Sequence, residues 1–192
     1  MRPLKTTRDK IVTVARIVFA NLSVYKTTME DIAKASKIGR RTIYSYFGSK
    51  EELYSAVVNT EINSILIKLK AVAKSNFDPK SKLINIFRVR MKAVEELTMR
   101  NESLKKDFLS DMNRIENLRP RLDEKETELI ELILNEGVET AEFVINKPEK
   151  LALVIQRSLK SLELSFIKDS FGQWSADTLD VFTDTIIKGI TK

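Results

Sequence analysis

The chain has 192 residues, of which 43% are hydrophobic, so it can bury a core as one unit of moderate size or as two small ones. It contains no cysteine and no histidine, which excludes disulfides and thiol chemistry and removes the most common general base and metal ligand. No signal peptide and no uninterrupted apolar span of about 20 residues is recognisable, so we expect a soluble cytoplasmic protein with no membrane partner.

The net charge of +6 is unevenly distributed along the chain. Through residue 50 there are 11 Lys or Arg and 3 Asp or Glu, a balance of +8, whereas the remaining 142 residues carry a balance of −2. This asymmetry is typical of a segment that meets phosphates, although a solvated basic surface would give the same count.

The first predicted helix begins after Thr6 or Thr7 and ends near residue 22. Its apolar residues recur at helical spacing and form one face, which consists of Ile11, Val14, Ala15, Val18, Phe19 and Leu22. This apolar face has to pack against other elements. The next two predicted helices are too short to bury their own apolar faces, so we expect them to pack against it.

Two short helices follow in the stretch from Thr28 to Lys50. Thr28 and Asp31 form an S/T-x-x-D/E start signal for a helix that runs to about residue 36. A second helix fits residues 40 to 46, Gly48 is expected to end it in a left-handed conformation, and Ser49 with Glu52 predicts another capping box. Together with the first helix, these elements predict a three-helix, helix-turn-helix head that reads DNA.

The segment TRDKIVTVARIVFANLSVYKTTMEDIAKASKIGRRTIYSYFGSKEEL, residues 7–53, resembles the N-terminal domain of TetR-type transcriptional regulators. The resemblance covers roughly the first 55 residues, beyond which only helix order and length are similar, and it rests on Ala15, Phe19, Ala20, Thr27, Thr28, Asp31, Ile32, Ala33, Thr42, Tyr44, Tyr46, Phe47, Ser49, Lys50 and Leu53. Three positions depart from the family pattern. Ser23 and Lys37 stand where glycine is usual, and Gly39 stands where serine commonly caps the recognition helix.

Base reading is expected from Arg40 and Arg41, because the first turn of such a helix contacts base edges. Either arginine can fork onto guanine, and the alternative for each is a phosphate clamp; the sequence does not decide which one reads bases. Further contacts are assigned chiefly by the resemblance: phosphate for Thr27, Thr42 and Lys50; phosphate or a thymine methyl for Tyr44; backbone or base for Ser45; phosphate or packing for Tyr46; and capping at an anion-attracting helix N-terminus for Thr28.

The remaining chain is predicted to be helical, giving an all-α fold of about nine helices. We expect domains at 1–50 for DNA binding and 51–192 for effector binding and dimerisation. A fourth helix near residues 51–74 would form a rigid connector of about 36 Å. Asn76 to Ser81 is predicted as a turn, and further helices are expected at about 82–98, 102–112, 121–143, 149–170 and from 176 onward, where apolar surplus on the last two favours a bundle with a second copy.

The resemblance implies a small-molecule pocket in the second domain. An apolar lining is predicted from Phe87, Met91, Phe108, Met112, Phe143 and Phe166, with plain core as the alternative for each. Arg88 or Arg90 is a candidate partner for an anionic ligand, but both are expected to face solvent, as is the carboxylate-rich stretch Glu124, Glu126, Glu128 and Glu131. No residue pattern for catalysis, a metal or a cofactor is present, so no enzyme activity is expected.

The sequence therefore predicts a TetR-like homodimeric repressor that binds a palindromic operator on double-stranded DNA and is released by a small-molecule effector of unknown identity. The alternative is a DNA-associated structural or division-control protein of the same fold without an effector.

Overall fold

The computed structural model describes residues 6–99, 116–168 and 176–191, and every element with assigned bounds in these ranges is a helix. The all-α prediction is confirmed. The predicted helix at 102–112 lies outside the described residues. The helices are α1 (Thr7–Leu22), α2 (Met29–Ser36), α3 (Arg40–Tyr46), α4 (Lys50–Ala73), α5 (Pro79–Met99), α6 (Pro120–Glu139), α7 (Pro148–Lys168) and α8 (Ala176–Ile190), with a further helical turn at 116–118.

The chain divides into two compact units. Among the described residues, the first unit contains 6–63, 97–99 and 116–118, and the second contains 64–96, 119–168 and 176–191. The division falls inside α4, after residue 63, whereas the functional boundary at residues 50 and 51 stays a prediction. None of the helices in the described ranges is long and apolar enough to cross a membrane.

The first unit, which we call the head, is built around one apolar core contributed by α1, α2, α3 and the start of α4. Ile11, Phe19 and Ile32 are fully buried in it, and the Phe19 ring meets the Tyr54 ring edge-on at 5.8 Å between centroids. The predicted core face of α1 is wrong at its end, because Leu22 is 48% exposed. The helix stops there and the chain turns away before this side chain can reach the core.

The start signal of α2 is confirmed as a complete capping box. The Thr28 hydroxyl accepts a hydrogen bond from the Asp31 amide at 3.2 Å, and the Asp31 carboxylate accepts one from the Thr28 amide at 2.9 Å. These two bonds satisfy donors that the first turn of a helix otherwise leaves unpaired, and so fix where α2 begins.

Left-handed backbone occurs at two positions where the family pattern has glycine and this chain has another residue. Lys37, at the end of α2, has φ 55° and ψ 38°, and Ser23, at the end of α1, has φ 72°. A side chain in this region costs on the order of 1 kcal/mol relative to glycine. The prediction of a left-handed Gly48 is wrong, because no described glycine has a positive φ. Instead, α3 ends in extended backbone at Phe47, and the Gly48 amide donates to the Glu52 carboxylate at 2.8 Å.

Helix α5 begins three residues before its predicted start. Asp78 acts as its cap, since the Asp78 carboxylate accepts from the Ser81 amide at 2.8 Å, and Pro79 occupies the first helical position. Proline suits that position because its missing N–H would have no helical partner there. The hydroxyl and the amide of Ser81 both lower the pKa of Asp78 below its usual value, and the hydroxyl contributes most.

Helix α6 ends at residue 139, four residues earlier than predicted, and Gly137 explains the ending. The helix runs through Gly137, but a Cβ at this position would lie 2.0 Å from the Phe143 ring. Ala141 takes a left-handed conformation with φ 57°, and the Phe143 amide then donates back to the Gly137 carbonyl at 2.9 Å. The glycine therefore marks a close approach of an aromatic ring to the helix, which the sequence left open.

Candidate nucleic-acid interface and effector region

Helix α3 presents a polar face to solvent and is held by one apolar anchor. Ile43 is fully buried and Phe47, just past the helix end, is 1% exposed, so both pack into the head core. The other side chains of the helix are exposed: Arg40, Arg41, Thr42, Tyr44, Ser45 and Tyr46. The six contacts predicted on this helix therefore share one accessible surface, which we call the recognition face.

The recognition face has internal order. The Arg40 guanidinium lies 5.5 Å from the centre of the Tyr44 ring, within the range of a cation–π contact. The Ser45 hydroxyl donates to the Thr42 carbonyl at 2.7 Å, a hydrogen bond within the same helix. Arg41 is exposed, and in the described residues no ion pair or ring contact occupies it. The two arginines thus have different surroundings in the protein without DNA.

The predicted contacts outside α3 divide into exposed and inward-facing residues. Thr28 is exposed beside the N-terminus of α2, where amide groups favour an anion. Thr27 is 1% exposed, and its hydroxyl donates to the Ser23 carbonyl at 2.6 Å. The Lys50 ammonium is directed into the loop before α2 and donates to the carbonyls of Val24, at 2.9 Å, and Thr27, at 3.0 Å. The structure does not bring Thr27 and Lys50 onto the recognition face.

Of the six predicted effector contacts, four lie in the described residues and all four are buried. They are Phe87, Met91, Phe143 and Phe166; Phe108 and Met112 lie outside the described residues. Phe87 packs on the Phe182 ring with 5.5 Å between centroids, and the Phe143 ring rests on Gly137. Each therefore has a packing role, and their contribution to a ligand pocket stays a prediction.

The second unit contains a buried charge cluster that the sequence did not reveal. We define the ion cluster as Arg90, Arg119, Glu126 and Glu163, all at most 6% exposed. The prediction that Arg90 and Glu126 face solvent is wrong, whereas Arg88 is exposed as expected and lies 3.6 Å from Asp180. Helical periodicity does not distinguish a buried charge from an exposed one when its partners are on other helices.

The ion cluster joins α5, the start of α6, and α7. Arg90 on α5 pairs with Glu126 on α6 at 2.8 Å and also with Glu163 on α7. Arg119, the residue before α6, makes two parallel hydrogen bonds to Glu163, at 3.0 and 2.8 Å. Arg90 Nη1 is buried, and it has no hydrogen-bond acceptor among the described residues. Gln156 on α7 donates to Glu126 at 3.3 Å, so Glu126 is held by groups from two other helices.

The pKa values of the two buried carboxyl groups are shifted in opposite directions. Burial raises the pKa of Glu126, because Arg90 offsets the desolvation of the carboxylate only in part. The nearby negative charge of Glu163 raises this pKa further. Burial also acts on Glu163, but Arg90 and Arg119 outweigh it and lower the pKa of Glu163. For Arg119, burial disfavours the charge, yet the pairing with Glu163 outweighs it and raises the pKa of Arg119.

Comparison with known proteins agrees with this architecture. The sequence profile of bacterial regulatory proteins, tetR family, matches residues 11–57. The HTH-type transcriptional repressor KstR2 of Mycolicibacterium smegmatis is 25% identical over 140 residues, which are 71% of this chain and 67% of that protein. A TetR/AcrR-family regulator from Thermobifida fusca is 25% identical with a TM-score of 0.71, covering 95% of this chain and 97% of the other.

A second solved structure extends the likeness of fold to the whole chain. A TetR-family regulator from Pectobacterium atrosepticum has a TM-score of 0.81, covers 100% of this chain and 97% of its own, and is 18% identical. At that identity the likeness concerns the fold alone. It includes the helical second unit, for which the sequence offered only helix order and length.

Proposed function

We propose that this chain, a transcriptional repressor belonging to the tetR family of bacterial regulatory proteins, binds a palindromic operator as a homodimer and is released from it by a small molecule. Membership in this family implies that the chain regulates transcription by binding DNA. The symmetric operator, the dimer and the effector are proposals that rest on features found within each unit. The cytoplasm, where the chromosome of a bacterium lies, is the proposed location.

The recognition face is the observation that carries the DNA-binding part of the proposal. It presents two arginines, a threonine, a serine and two tyrosines on a helix whose apolar side is anchored by Ile43. A helix of this kind can enter a major groove with its first turn against base edges while the hydroxyls meet phosphates. Thr28, at the N-terminus of α2, is placed to accompany a phosphate beside them.

A homodimer is favoured by apolar side chains that the second unit leaves in solvent. Val154 on α7 is 56% exposed and Val181 on α8 is 67% exposed, although both helices bury their other apolar faces. Pairing these helices with their copies would cover both valines in a bundle. Two heads would then reach half-sites about one helical turn apart. Sedimentation of the purified protein should give twice the mass of the chain.

Effector release is favoured by the composition of the second unit. Phe87, Met91 and Phe166 give it buried aromatic and sulfur-containing side chains that a small apolar molecule could contact after a modest rearrangement. An effector lowers operator affinity only by the difference between its affinities for the two conformations of the protein. A compound that binds the DNA-bound and free forms equally would release nothing.

Selection of bound sequences from random duplexes tests the proposal directly. The wild-type protein should enrich a palindrome, and its affinity for that duplex should fall steeply with salt, since each neutralised phosphate contributes about −0.9 to the log–log slope. Arg40→Ala and Arg41→Ala are then compared on the selected and a scrambled duplex. At least one should lose about 1–3 kcal/mol more on the selected duplex.

Arg88→Ala is the matched control, because Arg88 is an exposed arginine on α5 in the second unit. It should leave both affinities unchanged. Equal losses on the two duplexes for both head variants would show that neither arginine reads bases. Absence of any enriched sequence would contradict specific DNA binding.

A further inference from the structure

The loop between α1 and α2 contains a lysine contact that links residues far apart in the sequence. Lys50, the first residue of α4, donates from Nζ to three carbonyl oxygens: Val24 at 2.9 Å, Thr27 at 3.0 Å and Tyr25 at 3.5 Å. An ammonium group has three N–H donors and no acceptor, so these three carbonyls can occupy all of them. The contacts span 23 to 26 residues of chain.

The position of Lys50 argues that the contact has a specific role. A cation in the first turn of a helix faces the positive end of the helix dipole, which is unfavourable. The next residues, Glu51 and Glu52, are acidic and suit that end. Lys50 therefore occupies a disfavoured site for a cation, and the charge-assisted bonds to the loop offset that cost.

The loop that Lys50 holds has a strained backbone at Ser23 and an internal brace at Thr27. Ser23 has φ 72°, a region that disfavours a side chain, and Val24 is 2% exposed, so its backbone has little access to water. Thr27 adds a second brace, because its amide and its hydroxyl both donate to the Ser23 carbonyl, at 3.1 and 2.6 Å. Thr28, the cap of α2, follows at once, so the loop fixes where α2 begins.

We propose that Lys50 is a positioning residue for DNA binding rather than a phosphate contact: its ammonium locks the α1–α2 loop and thereby sets the place of the α2 N-terminus relative to the recognition face. The inference rests on the proposed function, since it concerns how the head is prepared for DNA. It assigns Lys50 an internal role that differs from the one predicted by resemblance. All the residues involved lie in the head.

Salt dependence separates the two roles, because only a phosphate contact releases a counterion. Lys50→Met removes the ammonium and keeps a side chain of similar length. Its affinity for the selected duplex should fall about tenfold, because the loop no longer holds the start of α2 in place, and the salt slope should equal that of the wild type. A slope weaker by about 0.9 would show a lost phosphate contact and overturn the inference.

Lys26→Met is the charge-matched control, since Lys26 is an exposed cation of the same loop. Both variants remove one positive charge from the head. The loss of affinity should be about tenfold larger for Lys50→Met than for Lys26→Met. Equal losses would mean that only the overall charge matters, and the positioning role would be wrong.

Amide hydrogen exchange in the free protein supplies a readout that does not depend on DNA. The Thr27 amide should exchange faster in Lys50→Met, whereas the buried α1 amide of Phe19 should keep its rate, because the loosening is local. Uniformly faster exchange, or normal affinity in a less stable protein, would show a merely structural role. If the wild type binds no selected duplex, the proposed function fails as well, whereas a changed salt slope sinks this inference alone.

Discussion

The head and the second unit are both helical, yet they bury different chemistry. Among the described residues, the head buries only two polar side chains, Thr27 and Ser36, inside an apolar core. The second unit buries the ion cluster and, in addition, a lysine, a glutamine and a threonine: Lys82, Gln156 and Thr183. The head is thus defined by hydrophobic burial and local capping, whereas the second unit also depends on pairing between helices.

The difference has consequences for specificity and for stability. Buried ion pairs add little net stability, because desolvation of both partners offsets their attraction, but removing one partner leaves an uncompensated charge and costs much more. Apolar contacts can slide or repack at moderate cost, whereas Arg90 and Glu163 have to meet with good geometry. We therefore expect the ion cluster to set the register of α5, α6 and α7.

The largest expected effect is the loss of the carboxylate that both arginines share. Glu163→Gln leaves Arg119 without its bidentate partner and Arg90 with one carboxylate, so we expect a loss of about 3–5 kcal/mol in the free energy of unfolding, measured by urea denaturation. Glu124→Gln, an exposed carboxylate on α6, is the control and should change little. Similar values for both variants would mean that the ion cluster is not important for stability.

A smaller effect is expected at Glu126, because this carboxyl can neutralise itself by binding a proton. Its pKa is raised in the folded protein, so between the unfolded value, about 4.3, and the raised value the folded state binds more protons and stability falls as pH rises. Glu126→Gln should remove this fall. Unfolding free energies of both proteins across that window test it, and parallel pH profiles would contradict the raised pKa.

Gly137→Ala should cost about 1–3 kcal/mol, although alanine is the better helix former, because the new Cβ would lie 2.0 Å from the Phe143 ring and the ring has to move. The comparison is a double-mutant cycle with Phe143→Leu, measured by thermal unfolding. The cost of the alanine should shrink once the ring is gone. An undiminished cost would place the strain elsewhere.

The smallest effect is expected in the head, where a cap can be removed without disturbing the core. Thr28→Ala deletes the hydroxyl that accepts from the Asp31 amide and should cost about 1 kcal/mol, while Thr28→Ser keeps the bond and serves as control. The Thr28 hydroxyl and amide also lower the pKa of Asp31. The stability that the ionised Asp31 carboxylate contributes is therefore present above its unfolded pKa, and it is lost as pH falls through its lower pKa in the folded protein.

The sequence by itself determined most of the head. The bounds of α1, α2 and α3 and the Thr28–Asp31 box could be read from residues within four positions of one another. Local signals suffice there because capping, turn preference and the helical repeat act over one or two turns. The exposed recognition face follows from the same repeat.

Only the tertiary structure decided the contacts that join distant segments. Arg90 meets Glu163 across 73 residues, Arg119 meets it across 44, and Lys50 reaches Val24 across 26. No local pattern distinguishes these charges from solvent-facing ones, since a helix places a buried and an exposed glutamate in the same repeat. The partner that offsets the cost of burying a charge comes from a distant segment, and it is in place only once the chain has folded.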